Sequence, residues 1–84
     1  MLEAAAYYES RAEGLGREFL RRIHKAVLDI EQHPDRWPVV GFGVRRRLVH
    51  RFPYGILYKI EADEIVVVSV MHLSRRPDYW IERI

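Results

Sequence analysis

Two strand patterns joined by a short polar turn are the feature that most restricts how this chain can fold. The segments FPYGILYKI and EIVVVSV are rich in β-branched and aromatic residues, and Ala62 and Asp63 lie between them. This order of strand, turn and strand is typical of an antiparallel hairpin. From Ile65 to Val70 the residues are apolar on both alternating faces except at Ser69, which predicts an interior strand of a sheet.

Two helices are predicted before the sheet. The first covers Leu2 to Glu13 and is followed by Gly14 and Gly16, residues that commonly separate two helices. The second begins near Gly16, stops before Pro34 and carries an apolar stripe at spacings of three or four residues. The stripe consists of Phe19, Leu20, Ile23, Val27 and Ile30. Such a stripe predicts a helical layer that packs on one face of the sheet.

A connection and one further strand are predicted between the helices and the hairpin. Proline and glycine residues from Gln32 to Gly43 disfavour regular structure. The next strand is predicted from about Val44 to Phe52, and its alternation makes one face strongly basic. That face holds Arg45, Arg47, Val49 and Arg51. In the strand after Pro53, alternate residues should face the helices, namely Tyr54, Ile56, Tyr58 and Ile60.

The predicted fold class is therefore α+β, with a two-helix hairpin on one face of an antiparallel sheet of at least three strands. A short helical turn is expected after Pro77, a residue suited to the first position of a helix. The whole chain of 84 residues is predicted to form one domain, over residues 1–84.

Composition excludes several kinds of site. The chain has no cysteine, so thiol catalysis, disulfides and thiolate metal ligands are absent. Its histidines show no paired metal-ligand spacing, and no glycine-rich phosphate loop precedes a helix, so neither a metal nor a cofactor is predicted. No apolar run is long enough to span a membrane, and the first residues include acids, which predicts a cytoplasmic protein.

Positive charge is concentrated in two places although the net charge is only +2. The segment from Val44 to Ile60 contains no acid and five basic residues: Arg45, Arg46, Arg47, Arg51 and Lys59. The polar face of the second helix carries Arg17, Arg21 and Lys25, of which the last two form a repulsive pair one turn apart. Each patch fits an anionic partner, such as nucleic acid or an acidic peptide, and each also fits an ordinary solvated surface.

The end of the sequence, HLSRRPDYW, has the composition of a protein-binding hot spot. Tryptophan and tyrosine beside arginine are enriched at the centres of interfaces. The candidate target-binding residues are Arg75, Arg76, Tyr79 and Trp80. In the competing interpretation, the two aromatic rings fold onto the sheet and the arginines only solvate a turn. Similarly, Trp37 either pins its loop to the body or offers a stacking platform for a base.

The order YYESRAEGLGREF, HPDRWP, VRRRLVHRFPYGILYKI and HLSRRPDYW resembles the RelE/ParE superfamily of toxins from type II toxin–antitoxin systems, over essentially the whole chain. The ending HLSRRPDYW is more similar to the ParE-like, plasmid-stabilisation branch. That resemblance implies a toxin that inhibits growth by binding DNA gyrase and is neutralised by a cognate antitoxin. The antitoxin would be a largely disordered segment that folds across the toxin, and Arg17, Arg21 and Lys25 are expected contacts.

One departure from the superfamily pattern lies at the amino end. Members normally begin with a short strand, whereas here Met1 stands almost inside the first helix. Either the chain is a shortened member or its recorded start lies downstream of the true one. Both readings predict an exposed sheet edge, which a homodimer or the antitoxin would cover.

The second departure concerns catalysis. RelE-like members, which cut messenger RNA on the ribosome, carry an arginine on the middle strand where this chain has Gly55. Substitute residues for a ribosome-dependent endoribonuclease are available: Arg47, Arg51, His72, Arg75 and Tyr79. No clear general base accompanies them, and a histidine at a strand end is commonly structural. A third hypothesis is a degenerate member that binds an antitoxin but is no longer toxic.

Overall fold

The computed structural model of the protein describes residues 2–74. In chain order these residues form α1 (Leu2–Arg11), α2 (Leu15–Gln32), β1 (Val39–Gly41), β2 (Val44–Leu48), β3 (Tyr54–Glu61) and β4 (Glu64–His72). The strands make one antiparallel sheet in the order β1-β2-β3-β4, and both helices pack on one face of it. The predicted α+β architecture is confirmed. The helical turn predicted after Pro77 lies outside the described residues.

A tight turn joins the two helices, and α1 ends at Arg11, two residues before the predicted end. Gly14 adopts a left-handed conformation with φ of 83°, which glycine tolerates without strain. The Glu9 carboxylate accepts hydrogen bonds of 2.9 Å from the backbone N–H groups of Gly14 and Gly16. These bonds, chiefly the one from Gly14, hold the pKa of Glu9 below its ordinary value. An acid of α1 therefore caps the start of α2.

The main core lies between α2 and the sheet. Phe19, Ala26 and Ile30 of α2 are at most 1% exposed and pack with Phe52, Ile56 and Tyr58. The rings of Tyr8, Phe19, Phe52 and Tyr54 form a cluster in which neighbouring centroids lie 4.8–5.2 Å apart. Such ring pairs contribute roughly 0.5–1.5 kcal/mol each beyond their buried area.

Leu20 does not belong to the buried stripe of α2, contrary to the sequence prediction. Its side chain is 39% exposed, whereas Phe19 beside it is fully buried. The reason is helical geometry: Leu20 lies four residues after Gly16, on the side where α2 approaches α1 rather than the sheet. Ile23 and Val27 are half-buried against the core, as the stripe predicts.

Strand β1 lies within the segment that the sequence predicts to be irregular, and that prediction is wrong for Val39–Gly41. The strand pairs with β2 through a tight turn at Phe42 and Gly43, whose φ angles are 53° and 74°. Positive φ at both central residues is the mark of a type I′ hairpin turn. The glycines that suggested a break in regular structure therefore belong to a hairpin.

Strand β2 ends at Leu48 and not at the predicted Phe52. After Leu48 the chain bends, and Arg51 takes a left-handed conformation with φ of 78°. As a result Val49 and Phe52, predicted on opposite faces of one strand, are both buried in the main core. Side chains alternate between the two faces of the sheet only up to the end of the strand at Leu48.

The β3–β4 hairpin is confirmed, with its turn at Ala62 and Asp63. Tyr54, Ile56 and Tyr58 face the helices as predicted, but Ile60 is 41% exposed. The prediction that β4 is an interior strand is wrong for the described residues, where β4 pairs with β3 alone and forms an edge.

Both faces of β4 are apolar because each packs on a different cluster. Ile65 and Val70 lie against the main core, whereas Val68 and Met71 pack on the opposite sheet face with Val44 and Leu57. A register shift beside Leu57 marks a bulge in this pairing. A strand that is apolar on both faces therefore need not have two neighbouring strands. The homodimer that a free edge would permit stays a prediction.

Candidate functional site

The turn after β2 and the end of β4 meet at one end of the sheet. Tyr54 opposes His72 in the β3–β4 ladder, and the Leu73 N–H donates a 2.8 Å hydrogen bond to the Pro53 carbonyl. The turn itself is closed by a 2.9 Å bond from the Val49 N–H to the Tyr54 carbonyl. Arg51 and His72, two of the residues proposed for phosphate and proton chemistry, therefore lie at the same end of the sheet.

Arg51 is the more accessible of these two groups. Its side chain is 55% exposed, and its nearest acidic partner is Glu18 at 3.8 Å. The left-handed backbone of Arg51 is uncommon for a residue with a side chain, and such conformations are enriched at functional sites. Arg51 is thus exposed and only loosely paired, as a phosphate-binding or protein-binding arginine requires.

His72 is held by local contacts. Its ring packs edge-on against Tyr54 at a centroid distance of 5.1 Å, and its Nδ1 atom accepts a 3.1 Å hydrogen bond from the Ser74 N–H. The Ser74 hydroxyl lies 2.7 Å from the same nitrogen. Because a backbone N–H can only donate, Nδ1 carries no proton and the neutral ring is protonated at Nε2. This arrangement orients the ring and leaves Nε2 as its donor.

Arg47, by contrast, is engaged within the protein. Its guanidinium forms a 2.8 Å ion pair with Asp29 of α2, lies 5.1 Å from the centroid of the Trp37 ring and donates to the Leu48 carbonyl. Its Nε atom is buried, so a phosphate could not reach it. Trp37 is itself half-buried against the core, as expected of a loop anchor. These contacts make Arg47 a link between α2 and the sheet.

Gly55 occupies the position at which RelE-like enzymes carry an arginine. A Cβ atom built there would lie 3.4 Å from the Arg46 Cγ and 3.4 Å from the Leu73 Cδ2, which is ordinary contact. The position therefore has room for a small side chain, and it faces the sheet surface opposite the helices with Leu57. Strand β3 therefore supplies no cation at the Gly55 position.

The polar face of α2 is organised around two carboxylates. Glu18 accepts hydrogen bonds from Arg21 and Arg22, and these bonds, chiefly that from Arg21, hold the pKa of Glu18 below its ordinary value. Asp29 accepts hydrogen bonds from Lys25 and Arg47, and these bonds, chiefly that from Lys25, hold the pKa of Asp29 below its ordinary value. Glu18 and Arg22, one helical turn apart, form an ion pair of 2.7 Å.

The expected antitoxin contacts are all accessible on this helix. Arg17 is exposed, and the side chains of Arg21 and Lys25 are each 67% exposed even though they are paired. The structure thus brings these three cations together on one surface of α2. Exposed pairs of this kind contribute little to stability, so the cations remain available to a partner.

The family comparison decides the class of protein. The family model described as the ParE toxin of type II toxin–antitoxin system, parDE, matches residues 2–77 of the chain. The chain belongs to the ParE toxin family. No curated protein and no solved structure matches it. Membership of this family makes the chain a toxin-type protein of a type II pair and implies an antitoxin partner.

In this ParE-family toxin the predicted target-binding residues Arg75, Arg76, Tyr79 and Trp80 lie outside the described residues, and their role stays a prediction. Among residues 2–74 there is no group of three or more metal-ligating side chains. No helix in the same range is long and apolar enough to cross a membrane.

Sequence reasoning missed two features of this ParE-family toxin. The first is the contact of Glu18 with Arg51 at 3.8 Å, because Arg51 reaches Glu18 only through the fold. The second is the exposure of Leu20 and Leu28 on the outer side of α2. Leu28 lies outside the predicted apolar stripe, and that position in the sequence was a signal that its side chain is exposed.

Proposed function

We propose that this ParE-family toxin inhibits growth by binding DNA gyrase, without chemistry of its own, and that a cognate antitoxin neutralises it. The observation that carries the proposal is the family match over residues 2–77. Two observations favour binding over catalysis. Arg47 is engaged by Asp29, and Gly55 stands where RelE-like enzymes have a cation. In this proposal Arg75, Arg76, Tyr79 and Trp80 form the gyrase-binding anchor.

The test is supercoiling of relaxed plasmid by purified gyrase with increasing amounts of the full chain. We expect inhibition together with linear DNA trapped as a cleaved complex. The Trp80→Ala variant should lose at least roughly 30-fold in inhibitory potency with an unchanged melting temperature, as truncation of an interface anchor predicts. If a folded wild-type sample leaves supercoiling untouched, the gyrase proposal is wrong for that enzyme.

Trp37→Ala is the matched control for the gyrase test because Trp37 is half-buried against the core. Its loss should lower the melting temperature by several degrees through lost packing. Its inhibitory potency, measured well below its melting temperature, should stay near that of the wild type. The pair separates loss of an anchor from loss of fold.

A second candidate function is ribosome-dependent cleavage of messenger RNA. The observation that favours it is the placement of exposed Arg51 and of His72 at the same end of the sheet. An endonuclease would use these residues with Arg75 and Tyr79 to bind phosphate and transfer protons, whereas Arg47 is engaged by Asp29. Primer extension on messenger RNA from translating ribosomes tests it: new 5′ ends that disappear with His72→Ala would support cleavage.

Growth assays address the third hypothesis, an antitoxin-binding member without toxicity. Induced expression of the chain alone should arrest growth, and co-expression of the antitoxin should restore it. Normal growth together with tight antitoxin binding would instead identify a degenerate member.

A further inference from the structure

Serine supplies all the aliphatic hydroxyl groups of the chain, because the sequence contains no threonine, and it contains no cysteine thiol either. The three serines lie in different surroundings. Ser10 is exposed on α1 and donates a 2.6 Å hydrogen bond to the Tyr7 carbonyl. Ser69 on β4 is buried, with 8% of its surface exposed. Ser74 is exposed just after β4, and its hydroxyl oxygen lies 2.7 Å from Nδ1 of His72.

The hydrogen bond between the Ser74 hydroxyl and His72 has a defined direction. The Ser74 N–H donates to the same Nδ1 atom at 3.1 Å, and a ring nitrogen that accepts from an N–H carries no proton. In the neutral imidazole Nδ1 is therefore the acceptor, and the Ser74 hydroxyl is the donor. The hydroxyl hydrogen thus points to a basic nitrogen, and lone pairs of Oγ remain available to an electrophile. This is the arrangement in which a histidine activates a serine.

The fold holds both members of this pair in place. His72 is the last residue of β4 and opposes Tyr54 in the ladder, and the Tyr54 ring packs edge-on against the imidazole at a centroid distance of 5.1 Å. Between the two members, the Leu73 N–H donates its 2.8 Å hydrogen bond to the Pro53 carbonyl. His72 is half-buried, whereas Ser74 is exposed. The base is therefore positioned before any reagent arrives, and the hydroxyl is open to solvent.

The other two serines each lack one of these properties. The Ser10 hydroxyl donates to a backbone carbonyl, which is not a base that takes up a proton near neutral pH. Ser69 is too little exposed for a reagent to reach its hydroxyl. Among residues 2–74, Ser74 is therefore the serine that is both exposed and paired with a base.

We propose that Ser74 is a nucleophilic serine that accepts an acyl group from an activated ester, either an oxygen ester with an acidic leaving group or a thioester. Oγ attacks the carbonyl carbon while its proton passes to Nδ1 of His72. An Oγ–C bond forms, and the bond from that carbon to the leaving group breaks. The leaving group departs with the electron pair of its bond, and the imidazolium returns the proton to it or to solvent. The product is an acyl ester of Ser74, a reaction that goes beyond gyrase binding and does not depend on it.

The geometry fits an acceptor of acyl groups better than a hydrolase. Nδ1 of His72 receives two hydrogen bonds from Ser74, one from the hydroxyl and one from the N–H. After acylation the hydroxyl hydrogen is gone, but the N–H still donates to Nδ1. A water that would cleave the ester must share this nitrogen without the covalent tether that holds the hydroxyl there. We therefore expect acylation to be faster than deacylation, so that the chain retains one acyl group.

The test is acetylation of the full chain by p-nitrophenyl acetate near neutral pH. Release of p-nitrophenolate gives the rate, and peptide mass spectrometry gives the acetylated residues. Neutral hydroxylamine removes acetyl esters but leaves the acetyl amides of lysine, which distinguishes the serine products. We expect Ser74 to be acetylated at least roughly 100-fold faster than Ser10, which is the lower end of what a positioned base contributes.

Two histidine variants test the base. His72→Gln removes it but keeps a side chain that can accept the Ser74 N–H, and acetylation of Ser74 should fall at least roughly 30-fold. His24→Gln is the matched control, because His24 is exposed on α2 and an exposed histidine can react with esters by itself. In the control the rate at Ser74 should equal that of the wild type. Ser74→Ala should lose the hydroxylamine-sensitive product.

The outcomes decide between a nucleophile and a turn contact. Fast acetylation of Ser74 that is lost in His72→Gln and kept in His24→Gln supports the nucleophilic serine. If Ser74 reacts no faster than Ser10, or if His72→Gln leaves its rate unchanged, the contact only closes the turn after β4 and the proposal is wrong. The comparison of Ser74 with Ser10 is made on the wild-type chain, so a misfolded variant cannot decide it. The gyrase assay bears on neither result, and the two proposals therefore fail separately.

Discussion

The two sides of α2 show how one helix can be structural on one side and available on the other. On the inner side, Phe19, Ala26 and Ile30 are buried, and at the flank Asp29 ties Arg47 of β2 to the helix. On the outer side, Leu20 and Leu28 are exposed beside the cations Arg21 and Lys25. An apolar side chain of α2 is therefore buried or exposed according to its position around the helix.

The largest effect that tests this comparison is expected at Phe19. Phe19→Ala should lower the free energy of unfolding by about 3–5 kcal/mol, because it leaves a cavity among the three aromatic rings of Tyr8, Phe52 and Tyr54. Leu20→Ala, the next residue, should cost less than about 1 kcal/mol because its side chain is 39% exposed. Urea unfolding measures both. Equal losses would show that the two sides of α2 do not differ in packing.

The next effect concerns the contact between the helices. Gly16→Ala should destabilise the protein by about 1–3 kcal/mol although alanine favours helices, because the new Cβ would collide with the Ala5 backbone. Gly55→Ala is the control: its Cβ meets only flexible side chains at 3.4 Å, and we expect a change within about 1 kcal/mol. A stable Gly16→Ala variant would show that α1 and α2 can separate at no cost.

A smaller effect is expected at the flank that joins α2 to β2. Asp29→Asn keeps the shape but removes the charge opposite Arg47, whose side chain is only 18% exposed. We expect a loss of about 1–2 kcal/mol, since a partly buried cation is left without its anion. Glu61→Gln, which breaks the more exposed Lys59–Glu61 pair, should cost no more than about 0.5 kcal/mol. Thermal melts of the two variants give the comparison.

Low pH should weaken the ion pair between Asp29 of α2 and Arg47 of β2. The pKa values of Glu18 and Asp29 are lowered in the folded protein by hydrogen bonds from Arg21 and Lys25 respectively. A carboxylate with a lowered folded-state pKa stabilises the fold above its unfolded pKa of about 4, and that stabilisation is lost as pH falls through the folded value. We expect a constant melting temperature down to about pH 5 and a decline below about pH 4. Asp29→Asn should show a shallower decline; a rise on acidification would contradict this.

Much of the fold was predictable because its signals are local. The stripe from Phe19 to Ile30 and the alternation from Tyr54 to Tyr58 each follow the period of one element, and both were placed correctly except at Leu20. Strand β1 was missed because the glycines around Phe42 read as breakers, although in the fold they form a hairpin turn. The edge position of β4 depends on which strands pair, which periodicity does not encode.

The candidate site was less predictable because its members meet only through the fold. Arg47 and Arg51 look equivalent in the sequence, yet one is engaged by Asp29 and the other is exposed. The meeting of Arg51 with Glu18, and its position at the same end of the sheet as His72, follow from the bend after Leu48. That bend depends on a left-handed arginine, which no sequence pattern here indicates.

The smallest predicted effect lies at that arginine. Arg51→Gly removes the cost of a left-handed side-chain residue, roughly 1 kcal/mol, and loses a weak, exposed contact with Glu18, so stability should rise by at most about 1 kcal/mol. Arg51→Ala removes the same contact but keeps the backbone cost, and should not be stabilised. Gyrase inhibition should be unchanged in both variants, because Arg51 lies outside the proposed anchor. If both variants instead lose toxicity together with cleavage of messenger RNA, Arg51 contacts phosphate and the ribonuclease is the better account of this end of the sheet.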